Sequence, residues 1–187
     1  MSHALLQTLV NDPTRAQIAG GMMMIILFLF VGLVTAIATT VIARRVFQGR
    51  YERVYWAVLL VAIAAIYLGF AGWFQASPEA WTTELTGIVV FAVVAVIGAF
   101  SATALAFGYL LHGLWDVAHS LLGTDFFGHA ASSIPLGYDM FCLGFDFAAA
   151  AYLAWWPKQW DKPGRFNPRF WRDDRDPSRS HQGAMYS

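Results

Sequence analysis

Three stretches of the chain carry no charged residue over lengths that a helix needs to cross a bilayer: 17–43, 54–74 and 85–111. About 20 successive apolar residues span the hydrocarbon layer as a helix. The first run is preceded by a single basic residue, Arg15, and is far longer than the apolar core of about 7–15 residues in a secretory signal. It therefore reads as a true span over 17–43. The second run predicts a helix over 54–74. Near the end, an apolar stretch closing on Trp155, Trp156 and Pro157 predicts another over 135–156.

The stretch 85–123 is too long for one crossing. A single helix of that length would run about 58 Å at 1.5 Å per residue, nearly twice the hydrocarbon thickness of about 30 Å. Its middle reads Gly98-Ala99-Phe100-Ser101-Ala102-Thr103-Ala104, small residues that permit a tight turn or close helix approach. Two helices, 85–100 and 102–122, are expected, giving an all-α bundle of five transmembrane helices.

Charge favours the same count. Eleven of the twelve basic residues lie either in Arg44, Arg45, Arg50 and Arg53 or in the tail, at Lys158, Lys162, Arg165, Arg169, Arg172, Arg175 and Arg179. Cytoplasmic segments carry the Lys/Arg excess, so both groups are expected inside, with an even number of crossings between them. The N-terminus is then outside and the C-terminus cytoplasmic. Residues 1–157 form the transmembrane domain and 158–187 a basic, aromatic tail. In that tail Trp160, Phe166, Phe170 and Trp171 alternate with basic residues, as a segment lying on an anionic leaflet would, although Pro163, Pro168 and Pro177 equally suit a disordered tail. Tyr55, Trp56, Trp155, Trp156 and Trp160 are expected in the inner aromatic belt, Trp73 and Trp81 in the outer one.

Composition agrees with this class. The chain is 58% hydrophobic and 13% charged, against about 25% charged in soluble domains. Zero formal net charge gives no nucleic-acid footprint. The single cysteine, Cys142, excludes an intrachain disulfide.

Against this background the ionisable residues inside the spans stand out. His112, Asp116 and His119 fall at i, i+4 and i+7 on the fourth helix, on one face. Asp139, Cys142 and Asp146 fall at i, i+3 and i+7 on the fifth. Counting inward from the loop between these helices sets His119 level with Asp139, Asp116 with Cys142, and His112 with Asp146. The deepest layer is then about 15 Å down. Ionisable groups at that depth normally face one another or a polar cavity.

The run Leu110-Leu111-His112, then Trp115-Asp116, His119 and Ser132-Ser133, resembles a family of small bacterial membrane proteins, domain-of-unknown-function family 6010, over residues 108 to about 150. The chain differs in having Ser120 where the family pattern carries a second adjacent His. The resemblance implies a multi-pass protein of the bacterial inner membrane with a shared site, and it brings no activity with it.

Three readings of the stripes compete. The first is a metal site for zinc or non-haem iron, formed from His112, Asp116, His119 and Asp146. In it Asp116 is the central, catalytic carboxylate, and Tyr109, Ser120, Asp139 and Cys142 support the ligands. Such a centre would hydrolyse a lipid-phase ester or amide. The second is a proton or solute pathway, which five helices would build only with further copies or partner membrane subunits. The third is a helix-pairing device in which Asp and His satisfy one another. Plainer roles suit the remaining candidates. Cys142 reads as a small apolar filler, Glu84 as a cap at the start of the third helix within reach of the outer mouth of the cluster, and His129 as a solvated loop residue.

Overall fold

The computed structural model describes residues 13–47, 49–122 and 128–155, with side chains from residue 20 onward. Five helices follow one another: α1 (Pro13–Val46), α2 (Arg50–Trp73), α3 (Pro78–Gly98), α4 (Ala102–Leu122) and α5 (Tyr138–Trp155). The basic tail and the Trp156–Pro157 boundary expected from sequence lie outside the described residues.

Several helix limits differ from the sequence expectation, α1 running from Pro13 to Val46 instead of over 17–43. Helix α2 begins at Arg50 instead of 54, because the helix tolerates the charged first turn that the uncharged-run criterion left out. Helix α3 begins at Pro78 instead of 85. Its first turn is polar and is started by Ser77, whose Oγ accepts a hydrogen bond from the Ala80 amide at 3.2 Å, with proline at the first helical position. Helix α5 begins at Tyr138 instead of 135, since residues 135–137 form the turn that feeds it and the Tyr138 amide bonds back to the Pro135 carbonyl at 3.1 Å.

The long run 85–122 is two helices, as the length argument requires. Ser101 makes the join. Its amide donates to the Ile97 and Gly98 carbonyls at 3.1 and 3.2 Å, closing α3, and its Oγ accepts from the Ala104 amide at 3.3 Å, opening α4.

Three helices are long and apolar enough to cross a membrane by length and composition: Gly20–Val46 within α1, then α2 and α3. Helices α4 and α5 carry the polar stripes, which lower their hydropathy. Their packing separates polar from apolar positions. In α4 the polar His112, Asp116 and His119 are buried, while Phe107, Leu114 and Leu121 are exposed. In α5 Asp139 and Asp146 are buried and Phe147 is exposed. Apolar residues cover the outside and ionisable ones the inside, an arrangement that suits a lipid solvent.

Helices α4 and α5 pack most extensively on each other. Helix α1 lies along α5, α3 lies between α2 and α4, and α2 also reaches α4. The α1–α5 seam is built on small residues. A Cβ at Gly32 would collide with the Phe141 carbonyl, and one at Gly144 with the Leu29 carbonyl, so each helix backbone presses on the glycine of the other. Most of α1 faces outward, with Met22 58%, Met23 69% and Ile26 63% exposed, a lipid-facing surface rather than a core. Trp73 and Trp155 are exposed, whereas Trp56, expected in the inner belt, is fully buried. Its ring packs edge-on against Tyr109, and the Tyr109 hydroxyl donates to the Trp56 carbonyl at 2.8 Å.

The seam makes a testable demand. Gly144→Leu should detach α1 from α5 and lower the thermal stability of the detergent-solubilised protein by about 1–3 kcal/mol, the usual cost of overpacking. An unchanged melting temperature would show that α1 is not held there.

Candidate functional site

The site is assembled by α4 and completed from both sides. On α4 the four-residue spacing of His112 and Asp116 puts them one turn apart on the buried face. Opposite them α5 contributes Asp146, and Gly113 permits the approach, a Cβ there lying 3.3 Å from the Asp146 Cβ. His112 Nδ1 lies 2.8 Å from Asp146 Oδ2 and 3.3 Å from Asp116 Oδ2. The level matching of His112 with Asp146 is thus found in the fold. From α2, the Tyr67 hydroxyl donates a short hydrogen bond to Asp116 Oδ1. The Cys142 thiol neighbours both carboxylates and the Tyr138 ring.

His112, Asp116 and Asp146 are completely shielded, at 0% exposure. Each retains a buried polar atom without a hydrogen-bond partner: His112 Nε2, Asp116 Oδ2 and Asp146 Oδ1. Asp116 Oδ2 is left only the 3.3 Å ion-pair contact with His112 Nδ1. Orphaned buried polar atoms are rare and costly, about 1–3 kcal/mol each. Three of them on three adjacent residues call for a ligand or a shared charge. The space beside His112, lined also by Tyr67, Glu84, Phe91 and Trp115, has no volume for a water molecule. One donor atom from each residue can be chosen so that all three lie within 4.8 Å of one another, a grouping able to hold a metal ion.

The electrostatics point the same way. With both carboxylates ionised, the group would carry net negative charge even with the imidazole protonated. In a low-dielectric interior that charge is expensive unless matched. A divalent cation with a neutral imidazole balances it.

His119 belongs to a different group. Its Nε2 lies 3.2 and 3.3 Å from the two oxygens of Glu84, and its Nδ1 lies 3.1 Å from the Trp115 carbonyl. Glu84 Oε1 also accepts from the Ser132 amide at 2.8 Å and from the Ser132 hydroxyl at 2.6 Å. So a carboxylate of α3 ties α4 and the loop before α5 together. The sequence reading gave Glu84 a capping role, but Ser77 holds the cap and Glu84 is 1% exposed. The signal was present in the run Ala80, Glu84, Gly87, Phe91, Ala95, Gly98: an inward stripe of mostly small residues with one carboxylate in it. Tyr67 was missed for a similar reason. It sits on the inner face of α2 marked by Ala57, Ala64 and Ala71, one every seven residues.

The residues expected to support the site are dispersed. Cys142 is beside it. The Tyr109 hydroxyl turns to Trp56 instead. Asp139 is buried and Ser120 exposed, and both line a groove shared with His119, so the matching of His119 with Asp139 holds in depth although the two are not bonded.

The chain folds as an all-α protein with three helices long and apolar enough to cross a membrane and a buried His/Asp triad. It belongs to the family of unknown function DUF6010, whose model matches residues 23–158, well over half of the chain. No curated protein and no solved structure matches it.

The Tyr67 contact has a measurable consequence. Tyr67→Phe keeps the ring and removes the hydroxyl that donates to Asp116 Oδ1, and should cost about 1–3 kcal/mol in stability. Thermal unfolding of the purified variant measures it, and a loss below about 0.5 kcal/mol would show that the contact is not holding the carboxylate.

Proposed function

We propose that this chain is a five-span inner-membrane protein that binds one divalent transition metal, zinc or iron, through His112, Asp116 and Asp146. The observation that carries this is the convergence of three shielded donor residues, each with an unpartnered polar atom. One imidazole and two carboxylates suit a borderline-hard ion. Tyr67 on Asp116 supplies the outer contact that orients a liganding carboxylate. These three residues would hold the metal with fewer protein ligands than a closed structural zinc site has, as catalytic sites do. The chemistry such a metal would supply is activation of a water for hydrolysis of a lipid-phase ester or amide, with Asp116 as the central carboxylate, and it requires the shielded bundle to open for substrate and water to enter. His119, held by Glu84, is a separate element that ties α3, α4 and the loop before α5 together.

Threading follows from the bundle. Helices α4 and α5 measure about 31 and 27 Å at 1.5 Å per residue, close to the hydrocarbon thickness of about 30 Å, and their outward faces are apolar. The Tyr152 hydroxyl on α5 bonds to Glu52 on α2, so the end of α5 lies beside the Arg-rich start of α2. That supports a cytoplasmic side shared by Arg44, Arg45, Arg50, Arg53, the turn at 98–104 and the basic tail 158–187, with the N-terminus outside.

Two measurements test these readings. Purified protein should hold about one zinc or iron per chain, and Asp116→Asn should abolish this. If wild-type protein carries only trace metal while the double variant His112→Leu, Asp146→Leu is as stable as wild type, the triad is a helix-pairing device, since an apolar replacement of a buried ion pair is often tolerated. For the threading, single cysteines placed at 98–104 and in the tail should react with impermeant maleimide only in inverted vesicles. Labelling from the outside would overturn the five-span arrangement.

A further inference from the structure

A second site lies at the end of the bundle where the chain passes from α4 to α5. A groove of about 760 Å³ opens there between α1, α4 and the residues leading into α5, within the range of small-molecule sites, about 300–1,000 Å³. Its two walls differ in chemistry. The α1 wall is apolar: Met24, Ile25 and Phe28. The opposite wall carries Ser120, His119 and Asp139.

Asp139 decides what the groove takes. Its side chain is 7% exposed and lines the groove, yet it has no hydrogen-bond or ion-pair partner among the described residues. The neighbouring polar groups do not serve it. Both His119 nitrogens face the Trp115 carbonyl and Glu84, and the Ser132 hydroxyl is given to Glu84. A buried carboxylate without a partner attracts a cation and repels an anion. A bare metal ion is a poor match, because the α1 wall offers no oxygen or nitrogen ligand beside it. An ammonium carrying an alkyl chain matches both walls.

We infer that this groove binds a cationic amphiphile, its primary ammonium head on Asp139 and its alkyl chain along Met24, Ile25 and Phe28 of α1. The site is separate from the metal triad and does not depend on it. The ammonium could belong to a phosphatidylethanolamine headgroup or to a free long-chain amine, and the experiment distinguishes these.

The full chain is placed in nanodiscs of phosphatidylcholine with phosphatidylethanolamine, or in phosphatidylcholine alone with added dodecylammonium, and ligands retained on release are read by native mass spectrometry. Wild type should retain phosphatidylethanolamine or dodecylammonium, the retained species identifying the source. Asp139→Asn should lower occupancy by about tenfold or more, as loss of one charge-assisted hydrogen bond implies. Gly21→Leu provides a second variant if Asp139→Asn folds poorly. Gly21 lines the groove on α1, and nothing lies within 4 Å of a Cβ built there, so the leucine fills the groove without disturbing the bundle. It too should abolish retention. Retention of neither amine by wild type, equal retention of dodecanol, or full retention by both variants would overturn the assignment.

Discussion

Placing two carboxylates and an imidazole in a low-dielectric bundle is the constraint on which the rest of this structure depends. Asp116, Asp146 and His112 are shielded from solvent and lipid alike. Lipid tails offer no hydrogen bonds, so every polar group inside must be met by protein or by a bound ligand. The demand fixes which faces of α4 and α5 meet, since any rotation that exposed the stripe would bring ionised groups to lipid. It also explains why α4 and α5 form the most extensive helix pair, with α2 and α3 arranged to supply Tyr67 and Glu84 to the polar groups on α4.

The remaining helices divide the work. Helix α1 contributes little to the core apart from Ala36, Ala43 and Val46, and it seals α5 from lipid across the paired contacts at Gly32 and Gly144. Helix α3 reaches α4 through a small-residue stripe and delivers Glu84 to His119 and Ser132. The latter contact ties down the start of the segment that carries the chain into α5. Two polar centres result, one deep on α4 and α5, one near the loop, with Tyr67 packed edge-on against the imidazoles of both.

The division between the two centres also accounts for the groove. Because Glu84 engages His119 and Ser132, Asp139 is left facing the space against α1, where no basic side chain meets it among the described residues. A carboxylate in that setting is a recognition element, whereas the same residue bonded to His119 would have been part of the bundle's internal pairing.

Much of this was determined by the sequence alone. Uncharged runs of bilayer length, the small residues at 98–104 and the i, i+4, i+7 placement of His112, Asp116 and His119 dictate five helices and a polar face on α4, because hydropathy and helical period are local properties. Antiparallel neighbours with a short connection also set His112 level with Asp146. Only the tertiary structure decided which partner each group takes. Tyr67 lies 49 residues from Asp116 in the chain, and Glu84 35 residues from His119, so their meeting depends on how α2 and α3 rotate about their axes. That rotation is set by side-chain packing across the whole bundle, by Phe91 against Trp115 and His112 and by the glycine seams, and no single helix's pattern contains it.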